Sequence, residues 1–399
     1  MLSSTAFALL SFVGVLAVVA RAFLRRGRLY AVFAAVMLGL HTASAALVYP
    51  LLPGALQIVA IYLQAATLLH FVLLADPRLR GVAYRALVSV PGSWFWAGSL
   101  LALPWATLAA LGFDPPAAWL PWAVALTGLY RSLVPRVETV DLALDRGYAD
   151  DLQRWPRGRA PEGDRPLRIV QITDPHLGPF MSEAQLSRIC SRAVAQNPDL
   201  IVLTGDFLTM ESNGSRGALA RALAPLAEAE GKVFACLGNH DHEALDEVRR
   251  GLAAVGARLL VDEAVVVQTG AGPVQILGAD FRWRDRRAHL AALCARHPRV
   301  AGALRLVLLH DPTAFPDLPV GEGDLVLSGH THGGQVGLVS LGLDWTVVSG
   351  LMGMPDHGLW ARGPDRMYVH RGTGHYGYPI RLGVPAEESL LRVFPPPIG

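Results

Sequence analysis

The chain has 399 residues, of which 52% are hydrophobic and only 17% charged, and its mean hydropathy is +0.34. This composition excludes an ordinary soluble globule and leaves room for more than one module. The net charge of +2, with Lys232 the only lysine, gives no sign of a nucleic-acid-binding face, and the scattered Cys190, Cys236 and Cys294 exclude a disulfide framework or a zinc knuckle.

Five apolar stretches come first, at about 2–20, 29–49, 55–75, 93–113 and 117–134. A run of about 20 apolar residues is long enough to cross a bilayer. No Asp, Glu, Lys or Arg lies within them except Arg131, near the last end. Pro50, Pro53 and Gly54 separate the second and third stretches, and Asp114, Pro115 and Pro116 the fourth and fifth. Trp94, Trp96, Trp119 and Trp122 lie near the ends, where amphipathic rings favour the membrane interface. Arg21, Arg25, Arg26 and Arg28 follow the first stretch; Arg78, Arg80 and Arg85 follow the third; Arg131, Arg136 and Arg146 accompany the end of the fifth. The alternate loops carry no Lys or Arg, so the positive-inside rule predicts a multi-pass protein of the inner (plasma) membrane, its N-terminus outside and its later residues cytoplasmic. The first stretch lacks the basic leader of a cleaved signal peptide. His41 and His70 read as interhelical hydrogen-bonding groups.

Residues 1–136 are thus expected to form a transmembrane helical domain. Residues 137–166 read as a linker, strand-like at Val137–Leu144 and then basic and breaker-rich through Arg154, Pro156, Arg157, Gly158, Arg159, Pro161 and Gly163. From Leu167 apolar runs alternate with helical patterns. Strands are expected at 167–173, 200–204, 233–237, 259–268, 274–277, 304–309 and 325–327, and helices at 182–196, 217–230, 243–255 and 287–296, with Ser182 as an N-cap. Strands alternating with helices predict an α/β layered domain over 167–394, followed by a short tail at 395–399.

The chemistry-bearing residues stand where these strands end. Asp174 and His176 follow the first strand; positions i and i+2 of an extended segment face one side and can chelate one ion. Gly205 and Asp206 follow the second, and a carboxylate there has lone pairs enough to bridge two cations. Gly238–Asn239–His240–Asp241 follow the third. Asn239 offers a neutral oxygen, and His240 can stabilise charge on a phosphoryl group or protonate a leaving oxygen. Asp241 is expected to hold the ring of His240 in its charged form. His310 ends a later strand, and His330 and His332 lie in Gly329–His330–Thr331–His332–Gly333–Gly334. Imidazole suits ions such as Mn, Fe and Zn.

In this order the motifs resemble those of the calcineurin-like metallophosphoesterase superfamily: Asp174–Pro175–His176, Gly205–Asp206, Gly238–Asn239–His240–Asp241, His310 and Gly329–His330–Thr331–His332–Gly333–Gly334–Gln335. The resemblance spans about 165–394. It implies a four-layer α/β sandwich, two central sheets flanked by helices, with two divalent metal ions at one end. It implies that one ion takes Asp174, His176 and His332 and the other Asn239, His310 and His330, that Asp206 bridges them, and that His240 and Asp241 are catalytic. Arg371–Gly372–Thr373–Gly374 and Pro379–Ile380–Arg381 narrow the likeness to a membrane-associated bacterial subgroup that includes lipid-A-precursor pyrophosphatases and multi-span members. His375–Tyr376–Gly377–Tyr378 departs from that pattern, where a shorter loop is expected.

The expected reaction is hydrolysis of a phosphoester or pyrophosphate by a metal-activated hydroxide. A membrane address favours a lipid-linked substrate such as a UDP-diacylglucosamine-like species. The alternatives are a phosphodiesterase acting on soluble or cyclic nucleotides, with the helices only an anchor, and a membrane scaffold or sensor with a vestigial site. Bilayer lipid and a phosphorylated substrate are the expected partners, with no nucleic acid and no protein partner.

Overall fold

Apolar sequence punctuated by proline and glycine produces the first helices of a computed structural model that describes residues 2–145, 147–158 and 165–395. Helix α1 (Ser4–Arg26) starts where the Ser3 hydroxyl accepts from the Ala6 N–H and stops at Gly27, whose φ of 90° ends the helical path. Helices α2 (Arg28–Val48) and α3 (Gly54–Leu74) follow. A three-residue turn, α4 (Val82–Tyr84), continues through a π-helical stretch, Arg85–Ser89, into α5 (Val90–Leu101). Helix α6 (Leu103–Ala110) departs from α5 by 55°. Pro104 has no N–H to donate and its ring crowds the preceding turn, which accounts for the break. Helix α7 (Leu120–Leu133) has 14 residues.

Among the described residues three helices are long and apolar enough to cross a membrane, or up to four if the bent α5–α6 pair is one span. The fifth expected span does not reach that length: 14 residues of helix rise about 21 Å against a hydrocarbon core of about 30 Å. Arg21 and Arg25, near the end of α1, both pair with Asp76, just beyond α3. The arginine-rich ends of α1 and α3 therefore lie side by side. His41 is fully buried and its Nε2 lies 2.9 Å from Gln64 Oε1 on α3, an interhelical hydrogen bond as expected. These helices to Ser132, with Gly377–Ile380, form one compact unit, and the remainder, from Leu133, forms a second.

The second unit is built on two mixed sheets. One has the order β1 (Arg136–Ala143), β13 (Glu387–Phe394), β3 (Leu167–Ile172), β4 (Leu200–Leu203), β5 (Val233–Ala235), β6 (Arg258–Leu259). The other runs β2 (Ala149–Arg154), β11 (Gly358–Gly363), β12 (Asp365–Val369), β10 (Leu325–Ser328), β9 (Leu304–Leu308), β8 (Gly272–Gly278), β7 (Glu263–Thr269). Strands β3, β4, β5 and β6 are mutually parallel, as are β8, β9, β10 and β12, while β13 against β3 and β7, β11 and β2 at the margins run antiparallel. Alternation sorts the side chains: Ile276, Leu306, Leu308, Leu325 and Leu327 join Ile169, Val202 and Phe234 between the sheets, whereas Leu277, Val307 and Val326 face outward onto Leu290 and Leu293 of α11 (Arg286–Arg296).

Helix α8 (Glu183–Ala195) begins at Ser182, whose hydroxyl accepts from the Gln185 N–H, as predicted. It buries Leu186, Ile189 and Ala193. Helices α9 (Ala218–Leu223) and α10 (Leu245–Ala253) are shorter than expected because 3-10 turns take over at Ala224–Ala229 and Asp241–Ala244. Helix α12 (Val347–Met352) precedes β11. The expected strand over 259–268 is two strands, β6 and β7. The expected linker is also different: β1 pairs along its whole length with β13, and β2 borders the second sheet beside β11. Arg146, Arg159, Pro161, Gly163 and residues 396–399 of the expected tail lie outside the described residues.

Candidate metal centre

Parallel strands set the site. β3, β4 and β5 are neighbours in one sheet, β9 and β10 in the other, and a donor stands two to four residues beyond each C-terminal edge. Ligands in α/β folds bind at such edges because the loops there converge. Asp174, His176, Asp206, His310 and His332 are all buried. Burial of so many polar groups is costly unless each finds a partner.

The structure gathers two clusters of ligand atoms, Asp174–His176–His332 and Asp206–His310–His330, each within 4.8 Å. In the first, His176 Nε2 lies 3.1 Å from His332 Nε2 and 3.9 Å from Asp174 Oδ1, and His332 Nε2 is 3.5 Å from that same oxygen. Between the clusters stands Asp206, whose Oδ2 is 3.6 Å from His176 Nε2 and 3.3 Å from His310 Nε2. Asn239 follows β5, with its Oδ1 buried and unpaired.

The donor set fits a pair of cations. His310 Nδ1 lies 2.7 Å from the Thr204 carbonyl, which can only accept, so this nitrogen carries a proton and Nε2 is the atom turned toward Asp206. That Nε2, with Asn239 Oδ1 and His330 Nδ1, is a buried polar atom without a hydrogen-bond partner. Buried acceptors without a donor, such as Asn239 Oδ1 and His330 Nδ1, are what a cation would satisfy. Burial lowers His176 to about 3 and His330 to about 4, and holds His332 well below its ordinary range, so these imidazoles are neutral and able to ligate. His310 behaves oppositely: burial disfavours its charge, but Asp206 outweighs it and raises the ring to about 10.

Backbone strain collects here. Asp174, His176, Asp206, His330 and His332 have φ of 52°, 47°, 57°, 68° and 51°, five of the ten positive-φ residues other than glycine among those described. Each costs on the order of 1 kcal/mol in this left-handed region. The surrounding hydrogen bonds hold them: Asp174 accepts from Thr173 Oγ1 at 2.7 Å and from the His330 N–H at 3.0–3.1 Å, and Asp206 Oδ1 accepts from the His240 N–H at 2.9 Å. Glycine permits the close approach. A Cβ on Gly329 would stand 2.2 Å from Asp174 Oδ2, and one on Gly238 would stand 2.2 Å from Asp206 Oδ1.

His240 and Asp241 divide their work differently from expectation. The Asp241 carboxylate accepts from the backbone N–H groups of Asp206, Phe207 and Gly238, each at 2.8 Å, and so ties the second strand end to the third. None of these bonds reaches the His240 ring. Glu243 does that instead, with Oε1 3.1 Å from His240 Nδ1. Burial works against the charged ring, but the Glu243 hydrogen bond and Asp206 raise His240 above its usual value.

Two further residues, each in a stretch already noted in the sequence but given no role there, line or support the site. The Tyr376 ring stacks on His176 at 4.7 Å and meets His240 edge-on at 4.5 Å, so the departing segment 375–378 contributes an aromatic wall. Arg381, fully buried, donates to the carbonyls of His332, Arg371 and Gly374 at 2.9, 2.8 and 2.6 Å and fixes the loop that carries His332. The unexpected length of the loop was the one signal for Tyr376; nothing in the sequence pointed to Glu243.

The sequence model of calcineurin-like phosphoesterases matches residues 167–334, from the start of β3 to the loop that carries His332. The chain is 30% identical over 233 residues to phosphodiesterase YaeI of Escherichia coli, covering 57% of this chain and 82% of that protein. It is 30% identical over 252 residues to a transmembrane protein with metallophosphoesterase domain from Danio rerio, covering 59% of this chain and 55% of that protein. It is 27% identical over 281 residues to UDP-2,3-diacylglucosamine pyrophosphatase LpxG of Chlamydia muridarum, covering 57% of this chain and 83% of that protein.

Proposed function

Because this chain belongs to the calcineurin-like phosphoesterase family and is accordingly a hydrolase, we propose that it cleaves a phosphoester or pyrophosphate bond in a lipid-linked substrate at a membrane surface. The observation that carries the reading is the placing of Asp206 Oδ2 within 3.6 Å of His176 Nε2 and 3.3 Å of His310 Nε2, one carboxylate shared by two donor sets. Asp174, His176 and His332 would hold one divalent cation, Asn239, His310 and His330 a second, and Asp206 both. When bound, such a pair supplies Lewis acidity toward phosphoryl oxygens and an acidified water.

The chain's own residues do the rest. His240, half-buried and oriented by Glu243, sets its ring 5.5 Å from that of His176 with a raised affinity for its proton. Charged, it stabilises negative charge on a phosphoryl oxygen or gives that proton to the leaving oxygen. Tyr376 covers one side of His176 and His240 and keeps water from that flank.

Two findings support a lipid-linked substrate: three helices long and apolar enough to cross a membrane, and a relative named as a UDP-2,3-diacylglucosamine pyrophosphatase. The pairing of Arg21 and Arg25 with Asp76 supports a shared, arginine-rich cytoplasmic face for the ends of α1 and α3 in the plasma membrane. The test compares hydrolysis by full-length protein, in nanodiscs supplied with Mn²⁺, of a UDP-diacylglucosamine and of water-soluble phosphodiesters. We expect kcat/KM to favour the acylated substrate by at least about 10²-fold, since apolar burial contributes about 0.8 kcal/mol per methylene. Equal or better turnover of cyclic or linear soluble nucleotides would overturn the lipid-linked reading and leave the helices as an anchor.

A further inference from the structure

Beyond His332 and Gln335 the chain does not return at once to the sheet. It makes an excursion, 338–352, that exposes Leu338, Leu341, Leu343, Trp345, Leu351 and Met352 at 38%, 75%, 53%, 47%, 80% and 67%. Elsewhere in the second unit exposed large apolar residues of the described set stand apart along the chain, as with Val266, Trp283 and Val320. Isolated exposed leucines need no account, whereas a contiguous apolar patch marks a surface that something covers.

The excursion is a built element. Gly337 pairs with Thr346 in a β-bridge, and the Leu338 N–H donates to the Trp345 carbonyl at 2.8 Å, so the loop closes on itself. Thr346 is fully buried, caps α12 through a reciprocal bond with Ser349, and hydrogen-bonds the Asp356 carboxylate. The Trp345 indole lies against Gly350, where an added Cβ would meet its Nε1 at 2.4 Å. The exposed side chains are therefore held outward by a fixed backbone.

We infer that residues 338–352 form a membrane-interface element by which the catalytic unit itself dips into the lipid surface, in addition to any helix that spans it. Three features of the chain favour lipid over a protein partner. The segment has one ionisable side chain, Asp344, and its exposed large side chains are Leu, Met and Trp, the kinds that partition between hydrocarbon and headgroups. The same chain carries three helices long and apolar enough to cross a bilayer, and the second unit, which starts at Leu133, is covalently tied to them, so a lipid surface is always within its tether. The element also adjoins the metal centre's loop: a Cβ on Gly334 would stand 2.8 Å from Thr346 Oγ1. Seating it in the interface holds the His330–His332 loop close to the headgroups. This inference does not depend on which phosphoester is cleaved.

The experiment uses full-length protein in nanodiscs. A single environment-sensitive fluorophore is placed at Leu341→Cys, at Leu351→Cys or, for comparison, at Ala254→Cys, an exposed position just after α10. The native thiols Cys190, Cys236 and Cys294 are buried, and unsubstituted protein reports their background. Each labelled protein must retain hydrolysis of a small soluble phosphodiester, which establishes that it is folded. We expect blue-shifted emission at 341 and 351 and loss of most of it when the lipids carry nitroxides near the headgroup, with neither effect at 254. Emission at 341 and 351 as red and unquenched as at 254 would overturn the inference. Blue-shifted emission that lipid nitroxides do not quench would overturn it too, because the element would then be covered by protein, either a second copy or another chain.

Discussion

His240 shows how much a single side chain depends on neighbours that no motif announces. Its Nδ1 is engaged by Glu243, three residues on, while the adjacent Asp241 is spent on three backbone N–H groups. The ring and the acid that orients it should therefore fail to different degrees. His240→Gln is expected to lower kcat by about 10²-fold or more, and Glu243→Gln by roughly 10-fold with KM little changed, because the ring is then less well oriented. If Glu243→Gln left kcat at the wild-type value, Glu243 would have no positioning role. The nine candidate residues were legible because each sits at the end of an apolar run. The partners of His240 and the stacking of Tyr376 were not, since they depend on how separate elements meet in space. The left-handed backbone at five of the metal-ligand candidates was equally invisible: nothing in aspartate or histidine marks a positive φ.

Elements whose inner and outer faces alternate in hydrophobicity were the easiest to read. Strands β3, β4, β9 and β10 and helices α8 and α11 fall within a residue or two of expectation. Strand β2 did not, because four of the six residues of Ala149–Arg154 are polar and it gains its place by pairing at the sheet margin with β11. Strands β12 and β13 were hidden for another reason: they bury charge. Glu387, fully buried, accepts from the Tyr368 hydroxyl at 2.6 Å and the Arg371 N–H at 3.1 Å, with the Arg371 Nε 3.4 Å away. Burial alone would raise this carboxyl, but His370, Arg371 and Tyr368 more than offset it and bring it from 4.5 to about 2. A carboxyl with a depressed folded pKa stabilises fully above its unfolded value and loses that contribution as pH falls through the window between 4.5 and about 2. Glu387→Gln is therefore expected to destabilise the catalytic unit by about 3 kcal/mol at neutral pH. The difference in melting temperature from wild type should narrow below about pH 4. A difference that stayed constant from pH 7 to pH 3 would count against ionised Glu387 as the source.

At the scale of the whole molecule, the chain divides into two compact units, the helices up to Ser132 with Gly377–Ile380 and the two sheets in the rest. Counting spans was harder than detecting them. Hydropathy registers apolar length, whereas a helix must also stay straight, and the Leu101–Leu103 break bends the fourth stretch by 55° while the fifth yields only 14 residues of helix. The module boundary also falls earlier than the expected linker, because β1 and β2 already belong to the sheets. What joins the sheets into a hydrolase is the shared position of Asp206 between donors from both. The most direct test of that claim is Asp206→Asn in full-length protein, read by metal content, melting temperature and turnover together. The account predicts a folded protein that binds less divalent metal than the wild type's pair and turns over at least about 10²-fold more slowly. A folded variant with wild-type turnover and a full metal complement would contradict it.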